Sequence, residues 1–133
     1  MSAEPAPGDV QYLEDRLYEF NSAATGISGG AWLAIFVRDE QDRIVAGIAG
    51  STWGGCADIR QFWVEDSRRG RGLGTRLLEA AEQEARSRGC RQMILMTFSF
   101  QAPAFYNRHG FAVVAVLKDH PLGHENLLLR KLL

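Results

Sequence analysis

The first apolar pattern along the chain has the period of an α-helix. Apolar residues recur every three or four positions between residues 10 and 20, which places them on one helical face. Asp9 precedes them as a suitable N-terminal cap, and the pattern ends near Gly26. Residues 1–8 are small, polar and rich in proline, so we expect a disordered tail there. The apolar positions are Val10, Leu13, Leu17 and Phe20.

The rest of the chain alternates between strand-like and helical runs. Two apolar runs around the polar triplet Glu40 to Asp42 predict an antiparallel hairpin, and a third strand follows. A helix over Leu73 to Arg88 then leads to a run that is apolar at consecutive positions, as in a strand buried on both faces. This order predicts a right-handed crossover between parallel strands. A short helix over residues 102–110 and two final strands complete a mixed sheet with helices packed on it. The strand-like runs are AWLAIFVRD, RIVAGIAGS, DIRQFWVE, RQMILMTFSF, FAVVAVLKD and ENLLLRKLL.

Composition and charge limit the class of protein. The chain has 133 residues, 46% of them hydrophobic, and a formal net charge of -1, so we expect one globular domain over residues 9–133. The small net charge gives no reason to expect a nucleic-acid partner, and no leader peptide or membrane span is evident. Cys56 and Cys90 are too few and too distant in sequence for a disulfide framework or a metal site. A cytoplasmic protein without a metal is the simplest expectation.

The stretch SRRGRGLGTRLL combines glycines with arginines at the start of the predicted crossover helix. The N-terminus of that helix exposes backbone N–H groups and the positive end of the helix dipole, which together attract anions. Glycine lets a phosphate reach the backbone without obstruction, and arginine adds positive charge. The stretch therefore predicts a pyrophosphate site. Its glycines are Gly70, Gly72 and Gly74, and its arginines are Arg68, Arg69, Arg71 and Arg76.

Motif spacing narrows the choice of phosphate compound. The loop lacks the lysine of a Walker motif, and Thr75 stands where a dinucleotide fingerprint has its third glycine. The pattern R-x-x-G-x-G, from Arg69 to Gly74, resembles the acyl-coenzyme A motif of the GNAT family of N-acetyltransferases. The segment APAFYNRHGF resembles that family's A-x-x-x-Y-x-x-x-G-F segment. The similarity extends from about Ala31 to Leu133, and the chain is identified as a short, bacterial-type member.

The resemblance implies a fold and a reaction. The fold would be α/β (α+β), with a mixed, mainly antiparallel sheet whose central parallel strand pair is splayed, flanked by helices. The implied activity transfers an acetyl group from acetyl-CoA to a primary amine of a small molecule, by direct attack in a ternary complex. Tyr106 matches the tyrosine that the family often uses as general acid. A thiolate of pKa about 8.5 cannot fully deprotonate a phenol of pKa about 10, so we expect Tyr106 to stabilise the thiolate by a hydrogen bond.

The same resemblance assigns the cofactor contacts. Backbone groups of the third strand would pair with the pantetheine arm, and an N–H near Val64 would polarise the thioester carbonyl. Ser99 stands where the family usually has an asparagine, which affects one hydrogen bond to the cofactor or to the following helix. The implied cofactor-binding residues are Phe62, Trp63, Val64, Arg69, Gly70, Arg71, Gly72, Leu73, Gly74, Thr75, Ser99 and Tyr106.

The group that deprotonates the amine stays open among three candidates. Asp58 and Glu65 flank the third strand, and a water relay is the third possibility. Asp58 shares parity with Phe62 and Val64, so a regular strand would place them on one face. A bulge would break that parity.

Acceptor contacts are expected near the two final strands and the first helix. His120 and His124 could bind substrate or relay protons, although a turn built by the proline and glycine between them explains the same segment. Asn21 and Trp53 could form the acceptor wall or serve only in packing. His109, at a helix end, is expected to cap that helix.

The chain is short for the family, and several interpretations remain open. Part of the acceptor wall is either missing or supplied by a second subunit, and a homodimer built on an exposed final strand, ENLLLRKLL, is expected. Within the same chemistry, the acceptor could be a protein. From another class, the chain could be a non-catalytic acyl-CoA-binding sensor or interaction protein. A nucleotide hydrolase is a distant alternative, because the loop has no lysine.

Overall fold

The computed structural model describes all 133 residues and contains six strands and three α-helices. Their order along the chain is the predicted one. A 3₁₀ turn over Asp66–Arg68 connects the third strand to the second helix. The elements are α1 (Asp9–Thr25), β1 (Ala31–Arg38), β2 (Ile44–Trp53), β3 (Cys56–Val64), α2 (Leu73–Ser87), β4 (Gln92–Phe98), α3 (Pro103–Arg108), β5 (Ala112–Lys118) and β6 (Glu125–Leu132).

The strands form one mixed sheet in the order β1-β2-β3-β4-β6-β5. β3 and β4 are parallel, and every other neighbouring pair is antiparallel. The predicted fold class is therefore confirmed. The prediction that the final strand is an exposed edge is wrong, because β6 inserts between β4 and β5 and pairs with both. The edge on this side is β5.

α2 packs across one face of the sheet and forms the core with it. Leu33, Ile48 and Met93, on three different strands, are at most 1% exposed beneath this helix. Glu82 of α2 lies in the same buried surface and accepts hydrogen bonds from Lys131 Nζ of β6 at 2.8 and 2.9 Å. Because a lone buried charge is strongly destabilising, the two groups depend on each other.

A β-bulge in β3 interrupts the regular pairing of the sheet. Ala49 pairs with Gln61 and Gly50 pairs with Ile59, so Arg60 is an extra residue with no partner in β2. The parallel pairing between β3 and β4 also ends at Ile59. From that point the two strands diverge.

α1 makes few contacts with the rest of the chain, and none of its residues is buried. The Tyr18 hydroxyl accepts a hydrogen bond from the Gly30 N–H, and its ring lies edge-on to Trp53 with 6.4 Å between centroids. β5 is likewise exposed at all seven positions. No helix of the chain is long and apolar enough to cross a membrane.

Candidate active site

The divergence of β3 and β4 opens a cavity of about 860 Å³. Its walls come from the second halves of both strands, the loop before α2, and α3. Ten of the twelve cofactor-binding residues expected from the sequence line it, and Arg71 and Ser99 do not. The ten are Phe62, Trp63, Val64, Arg69, Gly70, Gly72, Leu73, Gly74, Thr75 and Tyr106.

The N-terminus of α2 forms one end of this cavity and can bind an anion. Gly70 and the N-cap Gly72 have φ angles of 75° and 77°, a left-handed conformation that favours glycine. A Cβ at either position would meet no atom within 4 Å, so the space beside both is open to a ligand. No side chain caps the helix, and its first turn has no acidic residue. The first N–H groups of α2 therefore face the cavity without a partner.

Arginines surround this anion site in two groups. Arg68 and Arg69 line the cavity and are held by local carboxylates. Arg68 Nε lies 3.1 Å from Glu65 Oε2, and Arg69 lies 2.8 Å from Asp66 Oδ1. The second group stands outside the wall and forms no ion pair. Its members are Arg71 and Arg76.

Tyr106 lies in the cavity wall on α3. Its ring packs against Phe62 and Phe111, with centroid distances of 6.2 and 5.8 Å. No protein group hydrogen-bonds to its hydroxyl, which leaves the O–H for a ligand. Burial raises the pKa of Tyr106 to about 12, because the phenolate would lose hydration. Tyr106 is therefore a protonated hydrogen-bond donor at neutral pH.

A pair of hydrogen bonds through His109 joins the anion site to α3. His109 Nδ1 lies 2.8 Å from the carbonyl oxygen of Phe105, which only accepts, so Nδ1 carries the proton. In the neutral ring, Nε2 then accepts a hydrogen bond from the Thr75 hydroxyl at 3.1 Å. The expected capping role of His109 is confirmed by the first bond. The second bond ties the first turn of α2 to the helix that carries Tyr106.

The bulge separates the carboxylates expected near the third strand from the cavity. Asp58 precedes the bulge and faces away from α2, whereas Phe62 follows it and packs against the core. The strand is therefore not regular, and the bulge breaks the shared parity of Asp58 and Phe62. Asp58 Oδ2 accepts a hydrogen bond from Arg60 Nε at 2.8 Å, and Arg60 lines the cavity. Glu65 is engaged by Arg68, and neither carboxylate lines the wall itself.

Two of the expected acceptor residues lie at the far end of the sheet. Trp53 ends β2 beside the start of β3, whereas the anion site follows the end of β3. Its Nε1 donates to the carbonyl oxygen of Ile27 at 3.2 Å. Asn21 is exposed on α1. Within one chain, neither residue lines the cavity.

The two histidines of the β5–β6 loop lie nearer to the site. His120 packs edge-on to Phe98, with 5.5 Å between centroids. His124 packs edge-on to Phe100 at 5.0 Å. Phe100 lines the cavity, so His124 borders the site through that ring.

Ser99 connects β4 to β6 instead of facing the cavity. Its hydroxyl accepts a hydrogen bond from the Glu125 N–H at 3.1 Å, and its own N–H donates to the Glu125 carbonyl at 2.8 Å. Several lining residues of β4, of α3 and of the loop between them are not predicted by the sequence. Arg108 alone carried a signal, because it is a cation two residues after the motif tyrosine. The missed residues include Met96, Thr97, Gln101 and Arg108.

Comparison with known proteins identifies the family. The acetyltransferase (GNAT) family model matches residues 3–111. The chain is 32% identical over 119 residues to acetyltransferase Atu2258 of Agrobacterium fabrum, covering 90% of this chain and 87% of that protein. It is 36% identical over 99 residues to the blasticidin-S acetyltransferase of Streptomyces morookaense, covering 74% and 73%. A crystal structure of an acetyltransferase from Bacillus cereus has a TM-score of 0.84 at 29% identity, covering 100% and 97%. The chain belongs to the GNAT family of acetyltransferases.

GNAT enzymes use acetyl-CoA as the acetyl donor, and this cavity fits that cofactor. The free N–H groups of α2, the open space beside two glycines and the flanking arginines suit a pyrophosphate. Beyond Ile59, the edge of β3 that faces β4 has no strand partner, which suits the amide groups of a pantetheine arm. The chain is therefore an acetyltransferase whose donor is acetyl-CoA.

Proposed function

We propose that this chain is an N-acetyltransferase whose acceptor is a primary amine of a small molecule, attacking acetyl-CoA directly in a ternary complex. The observation that carries the proposal is the cavity, which joins an anion site at one end to the free hydroxyl of Tyr106 in its wall. The similarity to a blasticidin-S acetyltransferase supports a small-molecule acceptor.

The cofactor contacts in this proposal are mostly made by the backbone. Gly70, Gly72 and the first-turn N–H groups of Leu73, Gly74 and Thr75 bind the pyrophosphate. The second half of β3, from Phe62 through Trp63 to Val64, pairs with the pantetheine arm. Arg69 supplies positive charge from the cavity wall, and Arg71 supplies positive charge from outside that wall. Ser99 acts indirectly on the cofactor site, because its hydrogen bonds hold the end of β4 in position.

Tyr106 stabilises the leaving group and keeps its own proton. When bound, acetyl-CoA supplies the thioester carbonyl that the amine attacks and the thiolate that departs. Complete proton transfer from a phenol of pKa about 12 to a thiolate of pKa about 8.5 would be uphill by about 5 kcal/mol. The Tyr106 hydroxyl therefore donates a hydrogen bond to sulfur, and solvent supplies the proton of the free thiol.

The proton of the ammonium form leaves by one of the three routes that the sequence left open. Asp58 and Glu65 are each joined to the cavity by an arginine that lines it, Arg60 and Arg68, and we propose a water relay that reaches Asp58. Comparing the pH–rate profiles of Asp58→Asn and Glu65→Gln tests this route. Loss of the acidic limb in Asp58→Asn supports it, whereas loss only in Glu65→Gln, or in neither variant, contradicts it.

The remaining parts of the proposal concern the acceptor side of the cavity, the domain organisation and the cellular location. His120 and His124 line the approach of the amine beside Phe100, and a second subunit brings Asn21 and Trp53 to the acceptor wall. Residues 9–133 act as one catalytic domain. Both cysteines are free thiols, which suits a reducing compartment, and we place the protein in the cytoplasm.

Calorimetric titration with acetyl-CoA tests the anion site, with ATP and NAD as competing phosphate compounds. Gly72→Glu puts a carboxylate into the open space and is expected to abolish binding. Gly54→Glu is the matched control, because Gly54 also has a positive φ, 60°, and open space around it, but lies in the β2–β3 turn. Equal affinity for ATP or NAD, or unchanged binding in Gly72→Glu, contradicts the proposal.

Release of free thiol in the presence of amines tests the reaction itself. The acceptor set contains small primary amines, blasticidin S and a lysine-containing peptide, and mass spectrometry identifies the acetylated product. Thiol release with small amines supports the proposal. Acetylation of the peptide alone indicates a protein N-acetyltransferase, and acetyl-CoA binding without any thiol release indicates a non-catalytic sensor.

A further inference from the structure

The apolar face of α1 has no partner within the chain. The residues of this face are between 61% and 71% exposed. α1 contacts its own chain through Tyr18, which lies roughly a third of a turn round the helix from them. The helix therefore presents its apolar side away from its own sheet. This α1 stripe consists of Val10, Leu13, Leu17 and Phe20.

The face of the sheet opposite α2 also has exposed apolar residues that no helix of the chain covers. Met93 and Leu129 point toward α2, so the residues that alternate with them on β4 and β6 point the other way. Met96 and Leu117 are each 50% exposed there, and only α2 among the helices packs extensively on the strands. This bare face consists of Met96, Leu117, Leu128 and Leu132.

The accessible surface of the chain is too large for a compact monomer. A monomer of 14.8 kDa is expected to expose about 7,000 Å², whereas this chain exposes 9295 Å². Residues 1–8 account for at most about 1,100 Å² of the difference, even if they are fully extended. The remaining excess is about 1,200 Å², and a standard protein interface needs about 800 Å² from each partner.

The two surfaces match in size and in charge. α1 has 17 residues and is about 25 Å long, and the eight residues of β6 span about 26 Å. Three neighbouring strands are about 10 Å wide, which accommodates one helix. On α1, the carboxylates of Asp9 and Glu14 flank the α1 stripe. The bare face carries Arg130, which forms no ion pair within the chain.

We propose that a second copy of this chain occupies both surfaces. In the resulting two-fold dimer, the α1 stripe of each copy packs across the bare face of the other, so that one contact is formed twice. Helix-on-sheet packing then covers the sheet face that the single chain leaves open. The final strand takes part through its face, at Leu128 and Leu132, and not through its edge.

The dimer also completes the acceptor side of the cavity. Met96 belongs both to the bare face and to the cavity wall, so the α1 helix of the second copy borders the cavity there. Asn21 lies next to the α1 stripe on the helix surface and reaches this border only in the dimer. This step rests on the proposed function, whereas the dimer itself does not.

Sedimentation equilibrium of the full chain tests the dimer. The wild type is expected to have twice the chain mass, and Leu13→Glu is expected to weaken association at least about 30-fold, as at an interface hot spot. Gln11→Glu adds the same charge on the face of α1 away from the stripe and is expected to leave the dimer unchanged. A monomeric wild type, or a Leu13→Glu variant that still dimerises, overturns the proposal. Circular dichroism should show that Leu13→Glu keeps its fold, because Leu13 is 61% exposed in its own chain.

Mixing two variants tests the arrangement. Leu117→Glu is expected to be monomeric, as Leu13→Glu is. A heterodimer of the two retains one intact contact, between the α1 stripe of the Leu117→Glu chain and the bare face of the Leu13→Glu chain. The mixture is therefore expected to associate at concentrations at which each variant alone is monomeric. No association in the mixture overturns the helix-on-sheet arrangement.

The proposed contact between the α1 helix of the second copy and the acceptor side of the cavity can be measured separately. Leu13→Glu is expected to raise the KM for the amine at least about tenfold while leaving the calorimetric Kd for acetyl-CoA unchanged. An unchanged KM in the monomeric variant contradicts the proposed contact beside the cavity, but it does not contradict the dimer. If no amine releases thiol from the wild type, the proposed function fails, and the sedimentation result still decides the dimer.

Discussion

Replacing Gly50 by alanine tests the packing between β2 and β3 that precedes the bulge. A Cβ at this position would lie 2.0 Å from the carbonyl oxygen of Asp58 and 2.9 Å from Ile59 Cα. Real Cβ contacts essentially never fall below 3.0 Å, so the strands must separate by about 1 Å. Both obstructing groups belong to the backbone and cannot rotate away.

The expected loss of stability follows from that displacement. Overpacking of a close-packed region typically costs about 1–3 kcal/mol. With an unfolding entropy of about 2.1 cal/mol/K per residue over 133 residues, this lowers Tm by about 4–11 °C. The substitution should also weaken acetyl-CoA binding, because Ile59 is the last residue of β3 that pairs with β4.

Thermal unfolding by circular dichroism, at one fixed protein concentration, measures the effect. Gly47→Ala in the same strand is the matched control. Its Cβ would lie 2.8 Å from Cδ1 of Phe36, but that ring is half exposed and can turn. If Gly50→Ala loses no more stability than Gly47→Ala, the close approach of the two strands at Gly50 is refuted.

Three further predictions follow from contacts of the site and the core. Tyr106→Phe should lower kcat by about 10–10³-fold. Because the pKa of Tyr106 is about 12, the alkaline limb of the rate profile near pH 10 should be the same in both proteins, and unchanged turnover would contradict the assigned role. Glu82→Gln should cost about 1.5–3 kcal/mol in urea unfolding, since Lys131, whose side chain is 22% exposed, loses the charge of its partner. Most of that loss should be regained in the double variant Glu82→Leu/Lys131→Met, and its persistence would rule out the pairing as the cause. Thr75→Val should destabilise the chain by about 1 kcal/mol relative to Thr75→Ser, which keeps the hydroxyl for His109; equal stability would show that this bond contributes nothing.

The parts of the fold and site that the sequence predicts are those with strict local requirements. Few folds accommodate this pattern. It consists of a loop that needs two glycines at positive φ, then an amphipathic helix, and then a strand that is apolar on both faces. The sequence therefore predicts Gly70 and Gly72 as site residues, whereas Tyr106 follows from the resemblance to the GNAT family. Backbone conformation and hydrophobic period are both visible in the residue types themselves.

The parts that were missed depend on pairing between distant segments. Nothing in the composition of ENLLLRKLL distinguishes an edge strand from one inserted between two others. The bulge at Arg60 is likewise invisible, because it arises from the register of β2 against β3. The sequence therefore leaves open whether Asp58 shares a face with Phe62. The ion pair joins Glu82 to Lys131 across 49 positions of the chain, a pairing that the residue types alone do not reveal.

Because Arg60 shifts the alternation of β3 by one position, the two halves of this strand are out of phase. Deletion of Arg60 would remove the bulge and leave Phe62 facing α2, because Gln61 and Phe62 would keep their partners in β2. A regular β3 would continue beside β4 beyond Ile59, so the cleft for the donor would close. Natural variation in β3 is therefore restricted to exchanges of side chains at constant length. Insertions and deletions that alter the acceptor range must fall in the connections between strands.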